Sequence, residues 1–168
     1  MAEKPSLRDY QRTLSARLVN PAAGQSASKL GVQAGDSRWL IDLADTSEVI
    51  PAPSVFPVPL THSWFLGVTN IRGNLYSVVD FRAFSEGVAA SITEDSRLLL
   101  IADKYRIYCG LLVDRVLGLY RDEQLSVDND AVTVPWATKQ FVDHQSQQWK
   151  QLATQQLVTH PDFLQVGV

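Results

Sequence analysis

The stretch that decides the fold is Gly67-Val-Thr-Asn-Ile-Arg-Gly-Asn-Leu-Tyr-Ser-Val-Val-Asp-Phe81. It contains two runs of residues with high β propensity, 68–72 and 75–81, separated only by Gly73-Asn74. Glycine and asparagine readily adopt the positive φ angles that a two-residue hairpin turn requires. The stretch therefore predicts a tight β-hairpin whose turn fixes the register of its two strands.

Two features of this hairpin bear on packing and on function. Side chains alternate between the faces of a strand, so Val78 and Val79 point in opposite directions, and we expect both faces to be partly covered. Asn70 and Arg72 share a face beside the turn. An arginine there is either a solvated charge that protects a strand edge or a planar donor that binds a partner's carboxylate or carbonyl groups. The residues alone leave both interpretations open.

Composition indicates a soluble globular protein. The 168 residues, 45% of them apolar and 20% charged, are enough for one domain with a core. The net charge of −3 and the lack of a basic block remove the electrostatic driving force for nucleic-acid binding. No apolar run reaches the roughly 18 residues of a membrane span, and residues 1–5 lack an apolar signal core. We therefore expect a cytoplasmic protein without direct membrane insertion.

The N-terminal residues 1–27 are predicted to form a helix and a linker ahead of the main domain, residues 28–168. A narrow apolar stripe recurs at helical spacing in Leu7, Tyr10, Leu14 and Leu18. Residues 1–29 carry five Lys or Arg against two Asp or Glu. Such a basic amphipathic helix could dock on a partner, on acidic lipid or on its own domain, and the narrow leucine stripe favours its own domain.

The rest of the chain repeats the hairpin pattern. The predicted elements are hairpins at 30–41 and 96–113, strands at 49–50, 114–120 and 147–152, a proline-rich loop at 51–60, a polar loop at 85–96, a charged turn region at 121–131 and a terminal helix at 153–158. No alternation of strands with long helices occurs. The pattern predicts an all-β fold with minor helices, built from antiparallel strands as two small barrels or one sandwich.

The sequence lacks the motifs of an enzyme. The single cysteine, Cys109, excludes an internal disulfide, and its apolar neighbours predict a buried, inert thiol. No histidine has a second ligand at metal-binding spacing, and no phosphate-binding loop or nucleophile motif is present. Asp42 and Asp45 are better explained as cap and solvated-face residues than as an acid–base pair. We expect no cofactor, no metal and no catalysis, which leaves a binding module.

The hairpin resembles the signature of the CheW-like family, the coupling proteins of bacterial chemotaxis. The resemblance lies in residues 67–74, Gly-Val-Thr-Asn-Ile-Arg-Gly-Asn, followed by Val-Val-Asp-Phe at 78–81. It implies two five-stranded SH3-like β-barrels packed together over about residues 28–168, with the N-terminal helix as an extension. It also implies a non-enzymatic adaptor that joins the cytoplasmic tip of a methyl-accepting chemoreceptor to the regulatory domain of a CheA-type histidine kinase.

The resemblance also nominates residues for partner binding. It assigns this role to Glu48, Gly67, Asn70, Arg72 and Gly73. The N-terminal helix and the segments 147–152 and 161–164 resemble the PilI-like branch, which serves type IV pilus twitching motility. The alternative class is a small β-barrel protein that binds a ligand or a nucleic acid, and it requires a basic aromatic stripe that this sequence lacks.

Overall fold

The computed structural model describes residues 28–129 and 133–168, so the predicted N-terminal helix lies outside the described residues. Within these residues the chain forms eleven strands and three short α-helices. The strands are β1 (Ser28–Ala34), β2 (Ser37–Asp42), β3 (Thr46–Pro51), β4 (Phe65–Ile71), β5 (Asn74–Asp80), β6 (Arg97–Ile101), β7 (Cys109–Val113), β8 (Arg115–Arg121), β9 (Leu125–Asp128), β10 (Ala137–Asp143) and β11 (Gln148–Leu152). The helices are α1 (Phe81–Glu86), α2 (Thr154–Thr159) and α3 (Pro161–Leu164).

The strands form two sheets. One has six strands in the order β8-β1-β2-β11-β10-β9, and the other has five in the order β3-β6-β7-β5-β4. The predicted fold class, mostly β with minor helices in two packed units, is confirmed, although one sheet has a sixth strand. Two pairings, β5 with β7 and β2 with β11, are parallel, against the antiparallel arrangement predicted. Both join strands that are far apart along the chain, which local sequence patterns do not encode.

The six-stranded sheet contains two strands that the sequence did not indicate. The predicted turn region 121–131 holds a 3-10 turn, Asp122–Gln124, followed by β9, and β10 follows later in the chain. Side chains from both edge strands, β8 and β9, pack on one small apolar cluster at the centre of this sheet: Leu40, Phe141, Trp149, Leu117, Tyr120 and Leu125. The sheet therefore curls around its own core, as the strands of a barrel do.

The main core lies between the two sheets, and strands of the five-stranded sheet are buried on both faces. Val78 packs in the cluster inside the five-stranded sheet, whereas Val79 packs in the core between the sheets. Strand β6 alternates in the same way, because Leu98 faces the inner cluster and Leu99 faces the shared core. The prediction that both faces of β5 are partly covered is confirmed, and β6 is buried on both faces as well.

Cys109 begins β7 and faces the core between the sheets. Burial raises the pKa of its thiol to about 12, which keeps the thiol protonated at neutral pH. The predicted buried, inert thiol is confirmed.

Asp80 shows why the hairpin ends where it does. Its carboxylate is buried at the end of β5, where one oxygen accepts a hydrogen bond from the amide of Ala83 at 2.9 Å and caps helix α1. The other oxygen accepts from the amide of Ala90 at 2.8 Å. Asp80 thus has a structural role, and its two hydrogen bonds hold the end of β5 to helix α1 and to the following loop.

Candidate partner-binding site

The turn of the β4–β5 hairpin lies one residue earlier than the sequence predicted. Ile71 pairs with Asn74, so the two central residues are Arg72 and Gly73, with φ angles of 52° and 88°. Two consecutive positive φ angles are the mark of the primed turn that matches the twist of a hairpin. The amide of Gly73 donates to Oδ1 of Asn70 at 3.0 Å, and this hydrogen bond helps to hold a non-glycine residue in the left-handed region. We call residues 70–73 the Arg72 turn.

This shift changes the predicted roles of Asn70 and Arg72. They were expected to project from one strand face as two similar binding groups, but Arg72 lies in the turn itself and the Asn70 side chain accepts from the turn. Asn70 therefore shapes the backbone that carries Arg72. Both residues remain exposed at the end of the hairpin.

The guanidinium of Arg72 forms a two-point ion pair with Glu48. Nη1 donates to Oε2 at 2.8 Å and Nη2 donates to Oε1 at 2.7 Å, which is the parallel fork geometry of arginine and carboxylate. Glu48 lies on β3, at the opposite edge of the five-stranded sheet from the strand that enters the turn. The arginine side chain is 75% exposed and the glutamate 22% exposed. The pair therefore fixes the direction of a guanidinium that stays accessible to a partner.

Gly67 lies at the base of the same hairpin and has a different environment. Its φ angle is +133°, and a Cβ placed there would lie 2.0 Å from the backbone oxygen of Phe56. Phe56 and Val68 exchange backbone hydrogen bonds of 2.8 and 2.9 Å, which bring the proline-rich loop onto the edge of β4. The backbone that packs closely against Gly67 is therefore that of the proline-rich loop of the same chain, and Gly67 is buried.

Four of the five nominated residues come together, and Gly67 stands apart. Glu48, Asn70, Arg72 and Gly73 all belong to the Arg72 turn and its ion pair. A Cβ on Gly73 would meet no atom within 4 Å, so this glycine serves the turn geometry and leaves the surface open.

Two exposed apolar side chains close to the Arg72 turn were not singled out from the sequence. Leu75 pairs with Asn70 across the hairpin and is exposed. Tyr108, also exposed, packs edge-on against Tyr76 with a centroid distance of 5.2 Å. Burial raises the pKa of Tyr76, and the charge of Asp103 raises it further. A signal for Tyr108 was available, since tyrosine and arginine side chains are enriched in interface hot spots.

A second carboxylate, Asp45, is an anchor rather than the solvated residue that was expected. It is buried, and it accepts from the hydroxyl of Tyr105 at 2.7 Å and from Nζ of Lys104 at 2.6 Å. Burial alone would raise the pKa of Asp45, but these hydrogen bonds lower it below the ordinary value. The contacts tie the 3-10 turn before β3 to the turn after β6, and so they position the strand that carries Glu48.

The Arg72 turn is a charged surface with exposed apolar side chains beside it. Within residues 28–129 and 133–168, no group of three or more His, Cys, Asp or Glu side chains is placed to hold a metal ion. In that same part of the chain, no helix is long and apolar enough to cross a membrane. The charged groups of the Arg72 turn already satisfy one another, and the apolar side chains beside them are exposed. A surface of this kind, with exposed apolar and charged side chains together, can bind another protein.

Comparison with known proteins supports this interpretation. The CheW-like domain family matches residues 29–159. The chain is 29% identical to Protein PilI of Pseudomonas aeruginosa over 164 residues, covering 94% of this chain and 90% of that protein. It is 34% identical to Protein FrzA of Myxococcus xanthus over 88 residues, which is 52% of this chain and 54% of FrzA.

A solved structure shares the fold. The scaffolding protein TtCheW from Thermoanaerobacter tengcongensis superposes with a TM-score of 0.66 over 79% of this chain and 88% of its own, at 16% sequence identity. The chain therefore belongs to the CheW-like domain family, the scaffold adaptors of chemotaxis-like signalling.

Proposed function

We propose that this protein is a non-enzymatic adaptor that couples the cytoplasmic tip of a methyl-accepting chemoreceptor to the regulatory domain of a CheA-type histidine kinase. This role places it in the cytoplasm, where the receptor tip and the kinase meet. The proposal rests on membership of the CheW-like family and on the absence from the described residues of a metal-holding cluster. The contact site is the Arg72 turn with Glu48.

One observation carries the proposal, namely an exposed guanidinium held in a fixed direction by a rigid support. The hairpin restrains the backbone at Arg72, and both terminal nitrogens are oriented by Glu48. A partner that binds this surface loses little side-chain entropy, because the arginine is already ordered. The remaining donor capacity of the guanidinium and the exposed Leu75 and Tyr108 then offer one polar and two apolar contacts.

The relatives favour a pilus-motility output over a flagellar one. The match to PilI extends over 94% of this chain, whereas the match to a Helicobacter pylori protein named Chemotaxis protein CheW covers 59%. We propose that the adaptor acts in a chemosensory system that controls type IV pilus twitching motility. Deletion of the gene in its host is expected to abolish twitching and to leave swimming intact.

The binding test uses a matched pair of arginines. Arg106 is exposed on the five-stranded side of the molecule and, like Arg72, adopts a left-handed backbone, with φ of 56° against 52°. We would measure the affinity of Arg72→Ala and of Arg106→Ala for purified receptor tip and for purified kinase. Arg72→Ala is expected to weaken binding by about 1.5 to 3 kcal/mol, the range for a hydrogen bond to a charged group, with Arg106→Ala unchanged.

The result separates the two parts of the proposal. Unchanged affinity of Arg72→Ala for both partners would contradict the assignment of the Arg72 turn. Failure of the wild-type protein to bind either partner would contradict the coupling role itself. A reconstituted mixture of receptor, kinase and adaptor completes the test, since a coupling protein is expected to change kinase activity when receptor is present.

A further inference from the structure

The two edges of the six-stranded sheet meet at one place, which is also where the described chain begins. Strands β8 and β9 are the sheet edges, and only the 3-10 turn Asp122–Gln124 separates them along the chain. Strand β1 starts beside them, because Ser28 pairs with Arg121. We call the 3-10 turn and the surface on its two sides the β8–β9 corner.

Two hollows flank this turn. One, of about 390 Å³, is lined by Ser28, Leu119 and Glu123 among others. The other, of about 430 Å³, is lined by Lys29 and Val127 among others. Because the consecutive residues Ser28 and Lys29 line different hollows, the described chain begins between the two.

The corner exposes apolar surface on a strand edge. Val127 is 59% exposed on β9, and Leu119 is 38% exposed on β8. Strand β9 is an edge strand of the six-stranded sheet, and its strand partner among the described residues is β10. Such an edge in a native protein is normally covered or blunted.

The charges of the corner are arranged with the carboxylates outward. Lys29 is buried and lies 3.2 Å from a carboxylate oxygen of Asp42 and 3.2 Å from one of Asp122. Glu123 is exposed next to this triad, while Arg121 and Lys139 are the other basic groups that line the hollows. The single lysine is therefore shared by two carboxylates, which leaves Glu123 available to a basic side chain from outside the domain.

The segment outside the described residues suits this surface. Residues 1–27 carry four basic and two acidic side chains, and the apolar stripe of Leu7, Leu14 and Leu18 is predicted for a helix. The sequence predicts a linker after the helix, and residues 21–27 span at most about 24 Å when fully extended. A helix that ends near residue 20 therefore stays within reach of both hollows.

We propose that residues 6–20 dock on the β8–β9 corner of their own chain, with the leucine stripe over Val127 and Leu119 and the basic side chains towards Glu123. The docked segment covers the exposed edge of β9. This inference does not depend on the receptor or the kinase, and it commits to the chain's own N-terminal segment as the occupant.

The test is cross-linking in the full-length protein. Leu14→Cys is combined with Val127→Cys, and the control combines Leu14→Cys with Leu75→Cys, which is 60% exposed on the other sheet against 59% for Val127. The native Cys109 is not expected to react with the cross-linker, because it is buried and its pKa is raised. With a short thiol cross-linker in dilute solution, we expect the Val127 pair to form the intramolecular product about tenfold faster than the Leu75 pair, through its higher effective concentration.

A second variant shows whether the stripe drives docking. Leu7→Asp with Leu18→Asp in the Leu14–Val127 cysteine protein is expected to slow cross-linking to the rate of the Leu75 control, while circular dichroism shows the same β content. Equal rates for the two cysteine pairs overturn the proposal. So does a product that joins two chains, which would assign the corner to a second copy, and so does cross-linking that is unaffected by the aspartates.

Discussion

The base and the tip of the β4–β5 hairpin use the same residue type for different purposes. Gly67 and Gly73 both have a positive φ angle, but a Cβ on Gly67 would strike the backbone of Phe56, and a Cβ on Gly73 would meet open space. At the base, glycine lets the chain close on itself. At the tip, glycine lets the chain turn while leaving Arg72 accessible. Gly67 is thus required for packing within the fold, whereas Gly73 is required for the turn that exposes Arg72.

The carboxylates Asp45 and Glu48 repeat this contrast three residues apart. Asp45 is buried and binds Lys104 and Tyr105, whereas Glu48 is partly exposed and binds an arginine that is mostly exposed. Buried hydrogen-bonded charges are costly to disrupt, and exposed ion pairs contribute little to stability. Substitutions at these four positions therefore test whether the base and the tip are energetically distinct.

The largest effect is expected for Gly67→Ala. The new methyl group would overlap the Phe56 oxygen, and alanine is strained at a φ angle of +133°. We expect the free energy of unfolding to fall by about 3 kcal/mol or more, measured by urea denaturation. Wild-type stability in this variant would show that the proline-rich loop is free to move away. Gly67 and Gly73 would then not differ in their importance for stability.

Asp45→Asn comes next, with an expected loss of about 2 kcal/mol from weaker charged hydrogen bonds. It also has a pH signature. Because hydrogen bonds from Lys104 and Tyr105 hold the pKa of Asp45 below its ordinary value, its contribution is present above about pH 4 and is lost as the pH falls through the folded-state pKa. Acid unfolding curves should show a smaller stability loss below pH 4 in Asp45→Asn than in the wild type. Parallel curves would rule out Asp45 as the anchor.

Gly73→Ala is expected to cost about 1 kcal/mol, because alanine at a φ angle of 88° is strained even though no atom lies in the way. Urea denaturation measures this loss. The space around Gly73 predicts that a larger residue such as asparagine is tolerated as well as alanine or better. A loss of unfolding free energy as large as that expected for Gly67→Ala would show that a side chain at position 73 clashes with a neighbouring group.

The smallest effect is expected for the ion pair at the tip. A double-mutant cycle of Glu48→Gln and Arg72→Ala should give a coupling free energy of about 0.5 kcal/mol in unfolding experiments, decreasing with added salt. A coupling free energy of about 2 kcal/mol or more would show that the ion pair stabilises the sheet. Arg72 would then be a stabilising residue of the fold, as Asp45 is.

The sequence revealed the hairpin but placed its turn one residue too late. Gly73-Asn74 is a strong turn signal by composition. The structure instead centres the turn on Arg72 and Gly73, where the Gly73 amide donates to the Asn70 side chain, and the turn signal did not indicate this hydrogen bond. Arginine in a left-handed turn position is uncommon, so propensity alone argued against it.

Strands β9 and β10 escaped prediction for a different reason. Strand β9 has four residues and β10 exposes the adjacent polar side chains of Thr138 and Lys139, so neither shows a clear alternation of apolar and polar positions. The two strands are stabilised by pairing with each other, and β10 also pairs with β11. The parallel pairs β2–β11 and β5–β7 were not predicted either, because pairing between strands that are distant along the chain leaves no local sequence pattern.

Adjacent valines in β5 serve opposite sides of one strand, and this has a mechanical consequence. Val78 sits within the five-stranded unit and Val79 in the core that both units share, only six and seven residues after Arg72. A force applied at the arginine is carried along a single extended backbone straight into the seam between the units. Strand β5 therefore connects the Arg72 turn directly and rigidly to the core that both units share.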